Sequence, residues 1–182
     1  MSWTIDPLHT HIGFSVKHMM VSTVRGQFKT YHGKIKLDEK DFTRSAVEGE
    51  IEVASIDTGN IDRDNHLRSN DFFAAIDFPK ITFKSTRIER QDGDEYTLYG
   101  DLTIRGVTKE VALDVEYAGL SKNPYGMMVT GFSARGTINR KDFGVSFNAV
   151  LETGGVAVSD KVKIELDVEA VLQDAPVPAM AN

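Results

Sequence analysis

The sequence predicts an all-β domain of about eight antiparallel strands with one short helical insertion. Apolar and polar residues alternate with period two along most of the chain, which is the strand signal. Clusters of Gly, Asn, Asp and Pro separate the alternating stretches, as hairpin connections require. Only the segment from Asn60 to Ser69 abandons the period.

Taken in order, the first strand puts Ile12, Phe14, Val16 and His18 on one parity and His11, Ser15 and Lys17 on the other. Between Phe28 and Ile35 the apolar parity changes from even to odd, which predicts a β-bulge near Thr30 and Tyr31. Val47, Gly49, Ile51 and Val53 then face away from Glu48, Glu50 and Glu52. The aperiodic segment opens with Asn60, a favoured N-cap. It carries Asp62 and Asp64 in its first turn and Arg68 near its end, so it predicts a short helix. Pro79 separates that helix from a strand begun by Ile81 and Phe83. Further inward sets are Tyr96, Leu98, Gly100, Leu102 and Ile104, then Val111, Leu113, Val115 and Tyr117. Met128, Thr130, Phe132, Ala134, Gly136 and Ile138 follow, and Val162, Ile164, Leu166, Val168 and Ala170 form the last set. Gln91–Asp94, Arg105–Gly106, Asn123–Gly126 and Gly154–Gly155 supply the turns. Residues 1–173 therefore read as one domain. Residues 174–182, with two prolines and no period, read as a mobile C-terminal tail.

The chain has 182 residues, 41% apolar and 26% charged, with a formal charge of −6. That length suits a single domain with a sizeable core. A net negative chain without a basic tract is a poor partner for nucleic acid, whose phosphates demand clustered Lys and Arg. The absence of cysteine excludes disulfides, thiolate chemistry and zinc–sulfur sites. No apolar run approaches the ~18 residues of a membrane span. No signal peptide is visible after Met1, so the expected location is the cytoplasm, or the periplasm if the sequence is a processed form.

Eight half-apolar strands can form a sandwich or close into a barrel whose interior is packed or holds one ligand. Gly26, Gly49, Ser85, Gly100 and Gly136 are small residues on inward sets. Either they let the strands coil, or they leave the lumen unfilled.

A series of motifs runs along nearly the whole chain, starting with WTIDPLHTHIGFSVKH from Trp3 to His18, then SIDT from Ser55 to Thr58 and RDNHLRS from Arg63 to Ser69. It continues with DFF from Asp71, PKITFKST from Pro79, GDLTIRG from Gly100 and GFSA from Gly131. NRKDFG from Asn139 and DKVKI from Asp160 close it. In this order the motifs resemble the YceI-like family. Where the family usually reads Asp-Pro-x-Gly, this chain has Asn123-Pro-Tyr-Gly126, which preserves the turn. Some members carry a secretion signal, and none is visible here. The resemblance implies an eight-stranded antiparallel, lipocalin-like barrel. Its implied function is non-catalytic: without a cofactor, the lumen holds a polyisoprenoid, an isoprenoid quinone or a similar long-chain lipid for carriage, storage or sensing.

Such a ligand is driven from water. Burying on the order of 500 Å² at ~25 cal/mol per Å² yields roughly 12 kcal/mol before the ordering of the chain is subtracted. The expected walls are Ile12, Phe14, Val16 and Phe28 from the first strands and Ile51, Val53 and Phe83 from the middle. Leu98, Leu102, Val111, Leu113, Val115, Phe132, Ile164 and Leu166 complete them. His18, on the inward parity, is expected at a barrel end, either at a polar head group or on a backbone carbonyl.

Three other classes compete with this reading. His9 and His11 share a strand face, but no nearby His or carboxylate completes a metal site, so capping or hydrogen bonding is expected of His9 and His66. No nucleophile elbow, phosphate loop or dinucleotide fingerprint is present, and Asp62 and Asp64 lack the Gly and distant Glu of a calcium loop. A scaffold with a filled lumen would need outward apolar residues, which Ala112 and Val129 supply only weakly. A homodimer is compatible with carriage.

Overall fold

The structure, a computed structural model, describes residues 1–152 and 154–173; the expected tail at 174–182 lies outside the described residues. Eleven strands form one sheet: β1 (Ser2–Ile5), β2 (His11–His18), β3 (Ser22–Phe28), β4 (Tyr31–Lys36), β5 (Ala46–Glu52), β6 (Ile56–Asp57), β7 (Lys80–Asp92), β8 (Glu95–Ile104), β9 (Val107–Lys122), β10 (Met128–Asn139) and β11 (Val158–Leu172). Helix α1 spans Ile61–Arg68. All pairings between these strands are antiparallel.

Eight strands close a ring in the order β1-β4-β5-β7-β8-β9-β10-β11, with β11 returning to β1. The closure depends on one long strand serving two partners. Ala170 to Leu172 of β11 pair with β1, while the stretch from Val158 to Asp167 pairs with β2. β1 and β2 thus act as one strand broken by a 3-10 turn at Pro7–His9, where the Asp6 carboxylate accepts from the Leu8 amide at 2.9 Å. Beyond the break, β2 stays paired to β11, and β3 and β6 extend the same sheet from it, with Ile12, Phe14, Val16 and Phe28 facing the interior.

The parity change between Phe28 and Ile35 has a different origin from the one expected. It is no bulge: Lys29 and Thr30 form a corner between β3 and β4, which do not pair with each other. The corner is held by the Lys29 amide donating to the Ser55 carbonyl at 3.2 Å and the Glu52 amide donating to the Thr30 carbonyl at 2.9 Å. Register shifts fall elsewhere, at Ser85/Arg87, Arg90/Asp92, Thr130/Phe132 and Val158/Val162.

Side chains inside the ring form two separate cores. One end is plugged by Trp3, Ile35, Leu37, Phe42, Tyr96 and Val115, with the Phe42 ring stacked on Tyr117 at 4.5 Å and edge-on to Tyr96 at 4.8 Å. At the other end Phe28, Val53, Ile56, Phe72, Phe143 and Val145 pack under α1 and the segments that follow β6 and β10. What positions the site is the space between these two plugs.

Candidate functional site

Between the plugs lies a cavity of about 250 Å³ with an almost wholly apolar wall. Val158 and Val168 both border it, ten residues apart on β11. At roughly 3.3 Å per residue that is about 30 Å of strand contour, and less along the axis because barrel strands tilt by roughly 35–45°, so a small volume lined over that span makes a slender tunnel. Many wall residues, Ile12, Phe14, Val16, Ile51, Phe83, Val111, Phe132, Ile164 and Leu166 among them, are only partly buried although they point inward. Phe28, Leu98, Leu102 and Leu113 complete the expected part of the wall and are buried.

The rings stay out of the tunnel because glycines seat them. Gly26 lies opposite Phe14 in the β2–β3 register, and a Cβ there would come within 2.4 Å of the Phe14 ring. A Cβ at Gly100 would come within 2.3 Å of the Phe83 ring, and one at Gly136 within 2.6 Å of Leu113. Each bulky side chain lies over the bare backbone of a neighbouring strand instead of projecting to the axis. Gly26, Gly100 and Gly136 therefore let large neighbours recede into the wall, whereas Gly49 borders the cavity with only the His32 carbonyl within 4.0 Å of where its Cβ would be.

Two residues expected on the wall are elsewhere, and His18, expected at a barrel end, closes β2 opposite Val158 of β11 and is exposed, outside the cavity wall. Val53 is fully buried in the core beneath α1, since β5 ends at Glu52 and Val53 starts a 3-10 turn. Val115 is buried beyond the tunnel's end, in the plug with Tyr96. Conversely, Val47, Ile81, Ile138, Val162 and Val168 line the cavity and carried the same inward parity in the sequence. Leu67, Phe72, Phe73, Phe143 and Val145 also line it, but they come from the helix and irregular segments, where period two gives no signal.

One buried cation sits at the wall. The Arg140 guanidinium donates through Nε to the Ser159 carbonyl at 2.9 Å and through Nη1 to the Val145 and Phe147 carbonyls at 2.7 and 2.9 Å. Its Nη2 reaches the Val158 carbonyl at 3.4 Å, with the Asp160 carboxylate 3.8 Å away. Burial pulls its pKa below the ordinary arginine value and Asp160 acts against that shift. With four carbonyls as acceptors, Arg140 clamps the 145–147 segment to the start of β11.

Helix α1 closes over the same end. Asn60 caps it by accepting from the Arg63 amide at 3.0 Å, and buried Asp64 accepts from the Thr58 amide and hydroxyl at 2.9 and 2.6 Å. Arg68 donates back to the Ala54 and Ile56 carbonyls at 2.9 and 3.0 Å. His66 bonds the Asp71 carboxylate at 2.9 Å and meets the Phe72 and Phe147 rings edge-on.

The remaining histidine of interest is at the opposite end. His9 Nδ1 lies 2.8 Å from the Asp6 carboxylate and 3.7 Å from that of Glu169. The three donor atoms lie within 4.8 Å of one another. Glu169 could not be foreseen as a neighbour, because it arrives from β11 across the barrel closure. The Asp6 hydrogen bond, with Glu169 and Asp6 charge behind it, raises the His9 pKa above its ordinary 6.5. The same bond and the Leu8 amide hold Asp6 below 3.8.

The YceI-like domain family matches residues 3–170. A UPF0312 protein of Staphylococcus epidermidis is 47% identical over 168 residues, covering 92% of this chain and 95% of that protein. Among solved structures, BcnA of Burkholderia cenocepacia has a TM-score of 0.78 at 25% identity, over 91% of this chain and 98% of its own. A polyisoprenoid binding domain from Saccharophagus degradans, implicated in plant cell wall breakdown, has a TM-score of 0.71 at 13% identity, over 94% and 98%. At that identity the last likeness speaks for the fold.

Proposed function

The chain belongs to the YceI-like domain family, and from that premise we propose that it binds the hydrocarbon tail of a long-chain amphiphile in the barrel lumen. A polyisoprenoid, an isoprenoid quinone or a similar lipid is the ligand class, held for carriage, storage or sensing without chemical change. The observation that carries the proposal is the slender apolar tunnel between two packed plugs, kept open by rings seated on Gly26 and Gly100.

The tunnel's shape selects for the ligand. Its volume is just under the roughly 300–1,000 Å³ of pockets that hold compact small molecules, yet it is drawn out along the barrel axis. A single extended chain suits that space; a bulky ring system does not. The polyisoprenoid binding domain of Saccharophagus degradans shares the fold, which adds support for an isoprenoid. Of the polar residues that border the cavity, His32 and Glu50 pair with each other at 3.3 Å and the Arg140 guanidinium is committed to backbone carbonyls.

The test is a chain-length series. Delipidated protein titrated with geraniol, farnesol and geranylgeraniol should bind each longer alcohol at least about tenfold more tightly until the tunnel is filled. Each buried methylene contributes about 0.8 kcal/mol before ordering costs. Affinity independent of chain length, or no saturable binding, would overturn the proposal.

A further inference from the structure

The tip of the β2–β3 hairpin carries large apolar side chains in a backbone conformation that works against them. Met19 and Met20 both have positive φ, 54° and 59°, in a turn that the Val21 amide closes by donating to the His18 carbonyl at 3.2 Å. Two consecutive left-handed residues are the requirement that normally selects Asn-Gly, because a Cβ disfavours that region. Methionine there brings strain that Asn-Gly would not, and much of both side chains remains exposed. Met20 is 68% exposed and Val21 84%.

The patch extends beyond the turn. The Met20 sulfur lies against Gly155, in the loop closed by the Val150–Val156 bridge, and Val150 is itself 83% exposed. The Met19 amide donates to the Ala157 carbonyl at 2.9 Å, and wall residue Val158 pairs with His18. Val16, Val158 and Val162 carry the tunnel wall up to this turn, so the exposed patch continues the apolar lining at one end of the barrel.

We infer that the Met19–Val21 turn, with Val150, is a docking tip that inserts into a zwitterionic phospholipid surface. For its purpose this rests on the lumen proposal: a carrier whose cargo resides in a membrane must bring its tunnel to that membrane. The formal charge of −6 disfavours attraction to an anionic surface, which leaves apolar insertion as the driving force. Methionine's flexible, polarisable side chain suits a disordered acyl boundary. A second copy of the chain is a worse fit, since a stable interface engages roughly 20–30 residues a side and this tip offers a handful.

The experiment compares the wild-type chain with M19N/M20G by flotation on phosphatidylcholine vesicles. Asn-Gly suits the turn, so the variant should unfold at the same or a higher temperature, and lost binding cannot then be ascribed to misfolding. Wild type should float with the vesicles, undiminished at 1 M salt where the Debye length is about 3 Å, and the variant should partition at least tenfold less. Farnesol uptake from solution, measured on both, should be equal. Failure of wild type to float, or equal flotation of the two, would overturn docking, as would a vesicle-free dimer lost in the variant. Loss of farnesol uptake in the variant would also overturn it, by making the turn part of the lumen. If neither form took up farnesol yet the flotation difference held, the lumen proposal would fail and the docking tip would stand.

Discussion

Alanine at Gly26 would put a methyl group 2.4 Å from the Phe14 ring, with only ring atoms in its way, whereas alanine at Gly100 would also meet the Lys84 carbonyl at 2.8 Å. Gly26→Ala is therefore the cleaner probe. It should push the ring toward the axis, destabilise by about 1–3 kcal/mol as overpacking does, and weaken farnesol binding at least about tenfold. Titration beside thermal unfolding checks both. Arg140→Ala tests the clamp: with its guanidinium gone, buried carbonyls lose their donors, and urea unfolding should show a loss of roughly 3–4 kcal/mol. His9 tests linkage. Its pKa is raised on folding, so its contribution is complete below 6.5 and is lost as pH rises through the raised folded value. Asp6, lowered, contributes above 3.8 and loses that contribution as pH falls through its lowered value. His9→Gln should therefore flatten part of the decline in unfolding midpoint as pH rises above 6.5, and identical pH profiles would contradict the pairing. In the sequence these roles were unevenly visible. Gly26 and Gly100 stood out as small residues on inward sets, but which ring each would seat depends on cross-strand register, which parity alone does not fix.

The long strands and the helix were legible as elements, because each carries its own signal. β8, β9, β10 and β11 alternate over most of their length, and α1 announces itself through Asn60 and its acidic first turn. The helix owes its place to polar anchors more than to apolar packing, with Asn60, Asp64 and Arg68 holding it. Asn60→Ala should cost about 1 kcal/mol of stability by denaturant titration, as loss of an N-cap does. Short or irregular elements were not legible. β1 has four residues and β6 two, too few to show a period. The Lys29–Thr30 corner resembled a bulge because both produce a one-residue change of parity; only the pairing partners tell them apart. Parity likewise puts His18 on the inward face, but it does not say that the strand ends there, beside a hairpin turn that leaves the side chain exposed.

At the scale of the molecule, closure decides what the interior can be. Alternation left sandwich and barrel both open, and the choice is made by β11 reaching past β2 to pair with β1, a contact between the two ends of the described chain. With the ring closed, Phe42 and its neighbours plug one end, α1 and the aromatic residues around Phe72 cover the other, and a thin apolar tunnel remains between them. That tunnel was foreshadowed by the inward sets, but the irregular segments that finish it were not, since their positions follow from tertiary packing. The most direct measurement of the central claim is organic extraction of the protein purified from its native cell, followed by mass spectrometry. A lipid with one long unbranched or isoprenoid tail, recovered near one per chain and absent from a Gly26→Ala control, is the predicted result. An extract with no such lipid, from protein that also takes up none after delipidation, would contradict it.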